Sequence, residues 1–272
     1  MTDTPNVTHE DILSGLCEVG LSEGDVVLVH SSLSAFGHVE GGADTVIDAL
    51  LDAVGDAGTV VVPTFTWGPF HNAHGVTLDL RNTSCKGEVG IIPETFRLRE
   101  NARRSTHICH SVAAIGPHTV FVMGGPRSFG EGSTFHQLYE LDAWNLLLGV
   151  EFTSCTELHA VEEYMAVPYR RHRTFADSTV ILEDGIEAPC GSLEFLRYGD
   201  YANDFGKMRA VLDRHDVLRT TEIGDALVTN VRIRDIFDVT RAYMQDDIGF
   251  LLNDESRERL SNADDLPKDP PA

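Results

Sequence analysis

Positive charge is scarce in this chain: 21 lysines and arginines stand against 43 aspartates and glutamates, a formal net charge of −22 over 272 residues. That balance speaks against unaided binding to nucleic acid or to an anionic membrane surface. It leaves either cationic ligands or plain solubility as its purpose. No run approaches the roughly 18 apolar residues of a membrane helix, and no charged start leads into an apolar stretch, so neither a span nor a secretory leader is expected. The five cysteines (Cys17, Cys85, Cys109, Cys155, Cys190) are odd in number, scattered and without a Cys-x-x-Cys pair. A disulfide framework and a four-cysteine zinc site are therefore not expected. Walker loop, dinucleotide fingerprint and Gly-x-Ser-x-Gly elbow are all missing, and Gly130-Glu131-Gly132-Ser133 does not supply the last. The expectation is a reduced, soluble, cytoplasmic protein, for which 42% hydrophobic and 24% charged residues are ordinary.

What is present reads as a mixed α/β fold. Thr8, with Asp11 three residues on, opens an amphipathic helix carrying Ile12, Leu13 and Leu16, which Gly20 can close. Val26 to Val29 is a short, fully apolar strand of the kind found in a covered sheet. After Gly41-Gly42 come Val46, Ile47, Leu50, Leu51 and Val54 at helical spacing, then the strand Thr59 to Val62, which Pro63 ends. This βαβ-like order predicts a largely parallel central sheet covered by helices. From Thr64 to Glu88 the pattern dissolves into a long loop with Trp67, Phe70, His71 and His74, which its aromatics suggest is functional. Further helices are expected at Ile91–Glu100, Phe135–Leu141, Gly206–Arg214 and Ile233–Met244, and strands at Ser111–Ile115 and Thr179–Leu182. Leu218 to Val228 reads as a hairpin turning at Gly224-Asp225. With no repeat or low-complexity linker, one domain over residues 1–272 is expected, frayed over residues 1–7 and from about residue 261.

Two segments could carry chemistry. His30 to Gly37 is a loop of small residues after a strand, where open α/β sheets bind ligands; it is equally a Ser-rich turn. Thr156 to Tyr164 follows the apolar run Leu146 to Val150. On a helix, His159 has Glu162 and Glu163 three and four residues on, on the same face. A carboxylate there fixes the imidazole tautomer and raises its basicity, as a general base requires, although a half-buried helix histidine with two solvated acids has the same sequence. His107 and His110, like His71 and His74, are spaced for shared metal ligation, yet no recognised zinc pattern surrounds them.

Five stretches in register resemble the aminoglycoside 3-N-acetyltransferase family. They are Val27 to Leu33 with Gly37 and Gly41-Gly42; Gly58 to Thr64; Arg104 to His107 with Ser111 to Ala114 and Gly116-Pro117-His118; Gly130 to Ser133; and Leu146 to Val150 with Thr156 to His159 and Glu162. The match runs from about residue 8 to about residue 250. Ile108 departs from it, standing where the family usually has proline after the histidine.

The resemblance implies transfer from acetyl-CoA to the 3-amine of a 2-deoxystreptamine ring, without a metal, by an enzyme that is a monomer or homodimer. It implies that the loop of Ser31, Ser32, Leu33, Ser34, Ala35, Phe36 and Gly37, with Thr64, Phe65 and Thr66, holds pantetheine and phosphates, with Ser111 and Ser133 as further candidates. His159 becomes the base, Glu162 its orienting partner, and His107 a lining residue at the acyl end. Such a base removes the proton of a largely protonated amine, and loop amides or a hydroxyl near Ser31-Ser32 can stabilise the oxyanion. Asp79, Glu88, Asp142, Glu151 and Glu157 are the candidate partners for a cationic aminoglycoside. A different amine acceptor, a metal-dependent amidohydrolase built on His107, His110 and His159, and a non-catalytic binder of cations remain the alternatives.

Overall fold

In the computed structural model, which describes residues 6–70 and 74–262, Thr8 caps helix α1 (His9–Glu18). Its hydroxyl accepts from the Asp11 amide at 3.2 Å, and the Asp11 carboxylate accepts from the Thr8 amide at 2.9 Å, so two orphan donors are satisfied at once. Val7, expected to fray, is instead buried and bridges to Val39. Strand β1 (Val26–Ser31), helix α2 (Ala43–Val54) and strand β2 (Thr59–Pro63) form the βαβ unit, with β1 and β2 parallel. Helix α2 is framed by Gly42 and Gly55, both at positive φ, where a side chain would be strained.

Residues 64–90 are not one loop. They hold α3 (Trp67–Phe70), β3 (Thr77–Asp79) and α4 (Lys86–Val89), and β3 pairs in parallel with β8 (Thr179–Ile181) far along the chain. His71, and with it the His71–His74 spacing, lies outside the described residues. The middle of the chain supplies α5 (Ile91–Arg97), β4 (Arg103–Arg104), β5 (Val112–Ile115), α6 (Thr119–Val122), α7 (Thr134–Glu140), β6 (Trp144–Leu148) and α8 (Leu158–Tyr164). Beyond it come β7 (Arg170–Thr174), β9 (Glu187–Pro189), β10 (Leu193–Arg197), α9 (Met208–Arg214), β11 (Arg219–Ile223), β12 (Ala226–Arg232), α10 (Ile233–Asp246) and α11 (Asp254–Ser261). Strands β11 and β12 form the expected hairpin, turning at Gly224-Asp225, and α11 ends at Ser261, where fraying was expected to begin; residues 263–272 lie outside the described residues.

Among the described residues the central sheet has seven strands, in the order β11-β12-β6-β1-β2-β5-β4. Its middle, β6-β1-β2, is parallel, and the strands on either side join it antiparallel. The pleat sends Val26 and Leu28 into one layer, with α7, α8, α9 and α10, and Val27 and Val29 into the other, with α1, α2 and α5. Burying each such side chain stabilises the fold by about 2 kcal/mol, which is why these strands read as unbroken apolar runs. A smaller cluster of Leu78, Ile108, Phe175 and Val180 anchors the 64–90 stretch under the small sheet β3-β8-β9. Among the described residues no helix is long and apolar enough to cross a membrane.

Candidate active site

The carboxyl ends of the parallel strands open into a cleft, the place where sheets of this type bind ligands. A cavity of about 790 Å³ there is lined by Ser31 at the end of β1, by Ser32, Leu33, Ser34 and Gly37 after it, and by Val150 and Thr153 to Thr156 after β6. A second cavity, of about 540 Å³, is lined by Trp67, His110, Phe129, Glu194 and Asn203. Phe65, Glu88, Thr153, Thr156, Phe205 and His159 belong to both. Gly149, at φ 66°, lets the two loops approach, because a Cβ there would strike the Cβ of Ala35.

Helix α8 buries Leu158, Val161 and Glu162, which turns His159 toward this junction. His159 Nδ1 lies 2.6 Å from Glu162 Oε2, and Glu162 is fully buried. Arg170 Nε approaches the same carboxylate oxygen at 2.8 Å, and Asn203 Nδ2 donates to the other at 2.7 Å. Burial alone would raise the Glu162 carboxyl; Arg170, His159 and Asn203 outweigh it and hold the group below the usual carboxylate range. For His159, burial draws the imidazole down to about 4, Arg170 adds to this, and Glu162 opposes it. The ring is thus neutral at pH 7, with Nδ1–H donating to Glu162 and Nε2 carrying the lone pair. Phe129 and Phe205 flank it, at centroid distances of 5.3 and 4.9 Å.

A second imidazole–carboxylate pair stands on the other side of Phe129. His110 Nδ1 lies 2.8 Å from Glu194 Oε2, and the His110 ring packs 5.0 Å from Phe129 and 4.9 Å from Phe65. His107, expected at the acyl end, lines neither cavity. Its Nδ1 accepts from the His110 and Cys109 amides at 3.0 and 3.3 Å, and its Nε2–H points to the Leu193 carbonyl at 3.5 Å. Burial pulls its imidazole down to about 4, so it is a neutral brace that sets the His110 loop. His107, His110 and Glu194 present ligand atoms within 4.8 Å of one another and could hold a metal ion, although the hydrogen bonds just described already engage those atoms. Ile108, in place of the family's proline, donates its amide to Ser192 Oγ at 2.9 Å, a bond proline cannot make.

Several expected ligand-binding residues have other partners. Phe36 is core and, with Ala35, is absent from the lining. Thr64 and Ser111 are fully buried, 2.9 Å apart, and both accept from the Arg104 guanidinium, while the Thr66 hydroxyl donates to the Ile108 carbonyl. Ser133 is the N-cap of α7 and accepts from the His136 amide at 3.2 Å. Of the acids, Asp79 accepts from the Arg81 and Asn82 amides in its own turn, Asp142 sits at a left-handed turn beside Arg232 and Arg234, and Glu151 pairs with Arg209. None of these three lines either cavity, and Glu157 is buried against His30 at 3.4 Å. Glu88 alone among the candidate acids borders both cavities. The site also uses Arg170, Glu194, Asn203, Phe129 and Phe205, which carry no local signal: they come together from segments far apart in the sequence.

The family model described as Aminoglycoside 3-N-acetyltransferase matches residues 28–245. The chain is 34% identical over 191 residues to the SPbeta prophage-derived aminoglycoside N(3')-acetyltransferase-like protein YokD of Bacillus subtilis (strain 168), covering 60% of this chain and 67% of that one. It is 33% identical over 186 residues to aminoglycoside N(3)-acetyltransferase III of Salmonella sp, covering 62% and 64%. The matches thus span about two thirds of these curated relatives. Its structure also resembles the crystal structures of aminoglycoside acetyltransferase AAC(3)-IVa, as apoenzyme and as a histidine-to-alanine variant in complex with a gentamicin. TM-scores are 0.77 and 0.76, identity is 25%, and coverage is 95% of this chain and 99% of the other.

Proposed function

The chain belongs to the aminoglycoside 3-N-acetyltransferase family, and on that premise we propose that it moves the acetyl group of acetyl-CoA to the 3-amine of a 2-deoxystreptamine aminoglycoside by direct, general-base-assisted transfer. One observation carries the proposal: His159 borders two cavities at once, and its Nδ1 is fixed by a buried carboxylate. A transfer between two bound substrates needs its base at such a junction, where proximity replaces a covalent enzyme intermediate.

The first cavity fits the pantetheine arm. Ser31 Oγ is buried and without a hydrogen-bond partner among the described residues, and the Ser32 and Ser34 hydroxyls lie 3.2 Å apart beside it. No lysine or arginine is among the described residues of that lining, so phosphates would meet loop amides and His38. Acetyl-CoA supplies the activated acetyl thioester. In the second cavity, the exposed Glu88 carboxylate is the ammonium partner best placed beside His159.

The acceptor amine reaches the site largely protonated, and only its free base attacks. His159, neutral at pH 7, takes that proton at Nε2, and the freed amine then attacks: the nitrogen–carbon bond forms, the carbon–sulfur bond breaks, and the thiolate of coenzyme A leaves with the second proton, given up by the acylated nitrogen. The imidazolium so formed sits against ionised Glu162, which Arg170 and Asn203 keep in place. The complex of AAC(3)-IVa with a gentamicin supports a gentamicin-type acceptor. Coenzyme A release measured across an aminoglycoside panel tests the proposal: thiol release with at least one 2-deoxystreptamine drug is expected, and no turnover with any aminoglycoside refutes the assigned substrate.

A further inference from the structure

Helix α8 has a second working edge. Ala160, Glu163 and Tyr164 line a third cavity, of about 510 Å³, a volume within the range of small-molecule sites. It is separate from the two cavities that meet at His159, and acetyl transfer has no use for it. Three rings form its apolar wall: Tyr139 and Tyr164 each pack edgewise or tilted on Phe237, at 5.0 and 5.2 Å. Tyr164 is 61% exposed, a large ring held over the cavity and not inserted in the core.

Two carboxylates border the same space. The Glu163 side chain is 6% exposed, and its Oε1 is engaged by Arg127 and by His172 Nε2 at 3.2 Å. The Glu157 side chain is 3% exposed, and its Oε2 faces His30 Nε2 and the Cys155 thiol, both at 3.4 Å. Among the described residues neither Glu163 Oε2 nor Glu157 Oε1 has a hydrogen-bond partner. Buried carboxylate oxygens without donors are costly, and a charged donor is the group that repairs them best. Aromatic faces beside such oxygens favour the same charge.

We propose that this cavity binds a small organic ammonium ion carrying an aromatic or aliphatic body, its nitrogen donating to Glu163 and its body lying against Tyr139, Tyr164 and Phe237. The site lies apart from the acetyl-transfer cleft, and its occupation does not depend on which acceptor the enzyme uses. Isothermal titration of the purified protein with 2-phenylethylammonium, against the uncharged 2-phenylethanol, tests it. The ammonium should bind about tenfold or more tightly than the alcohol, the size expected of a charge-assisted bond. Glu163→Gln should remove that preference. Tyr164→Ala, a change at an exposed ring that leaves the core intact, should weaken the ammonium by about threefold or more. Saturating coenzyme A and His159→Ala should leave binding unchanged. Equal affinity for the two probes, no heat with either, indifference to Tyr164→Ala, or displacement by coenzyme A would each overturn the assignment.

Discussion

Two histidine–glutamate pairs flank Phe129, and they are built differently. His159 and Glu162 come from one turn of one helix, whereas His110 and Glu194 come from a loop and a strand 84 residues apart. Glu162 has a permanent cation, Arg170, at 2.8 Å; among the described residues Glu194 has no lysine or arginine ion pair and leans on His110 and the Phe195 amide. With its carboxylate balanced by arginine, His159 stands neutral and free to gain a proton, and it borders both cavities. His110 borders one. On the proposed mechanism the first pair carries the chemistry and the second places substrate, a division that variants of each pair can break.

The largest effect belongs to His159→Ala. Loss of the base should lower turnover by about 10²-fold or more while coenzyme A binding persists. An unchanged kcat in this variant would remove His159 from the chemistry. Glu162→Gln comes next, with a drop in kcat of about tenfold, because the imidazolium loses its counter-charge. It should also cost on the order of 3 kcal/mol in denaturant unfolding, since Arg170 is left buried and uncompensated. A variant as stable as the parent would show that Arg170 finds another partner.

The pH profile sharpens the same point. The productive encounter is between neutral His159 and a protonated amine, with the proton passing inside the complex. The acid limb of kcat/KM should therefore lie below the ordinary histidine value of 6.5, toward 4, because burial and Arg170 both depress the imidazole. The alkaline limb belongs to the acceptor amine. An acid limb at or above 6.5 that His159→Ala abolishes would contradict the burial argument.

What can be read from the sequence follows the same line between local and distant partners. Helix α1, β1, α2 and β2 are legible because their caps, glycine stops and apolar runs are self-contained. The His159–Glu162 pair is legible because helical geometry alone joins residues three apart. Arg170 hides in the polar run Arg170 to Thr174, where nothing local marks one arginine as buried beside Glu162. Thr64, Thr66 and Ser111 have the pattern of ligand hydroxyls after a strand, but buried Arg104, 40 residues beyond Thr64, and the Ile108 carbonyl take them up. His107 and His110 are an even choice by spacing; only the tertiary fold turns His110 to the cavity and His107 to the backbone.

The smallest effect on turnover is expected at Glu194. Glu194→Gln keeps a hydrogen bond to His110 and leaves His159 untouched, so kcat should hold while KM rises about threefold to tenfold. Its signature is in stability. Burial alone would raise the Glu194 carboxyl, but His110 holds it down at about 2, against 4.5 for an exposed glutamate. A depressed folded-state value stabilises the protein fully above about 4.5 and is lost as pH falls toward about 2. Denaturant midpoints measured from pH 5 down should thus fall less steeply in Glu194→Gln than in the parent. A variant that loses kcat as severely as Glu162→Gln would show that both pairs take part in the proton transfer, and the division between them would collapse.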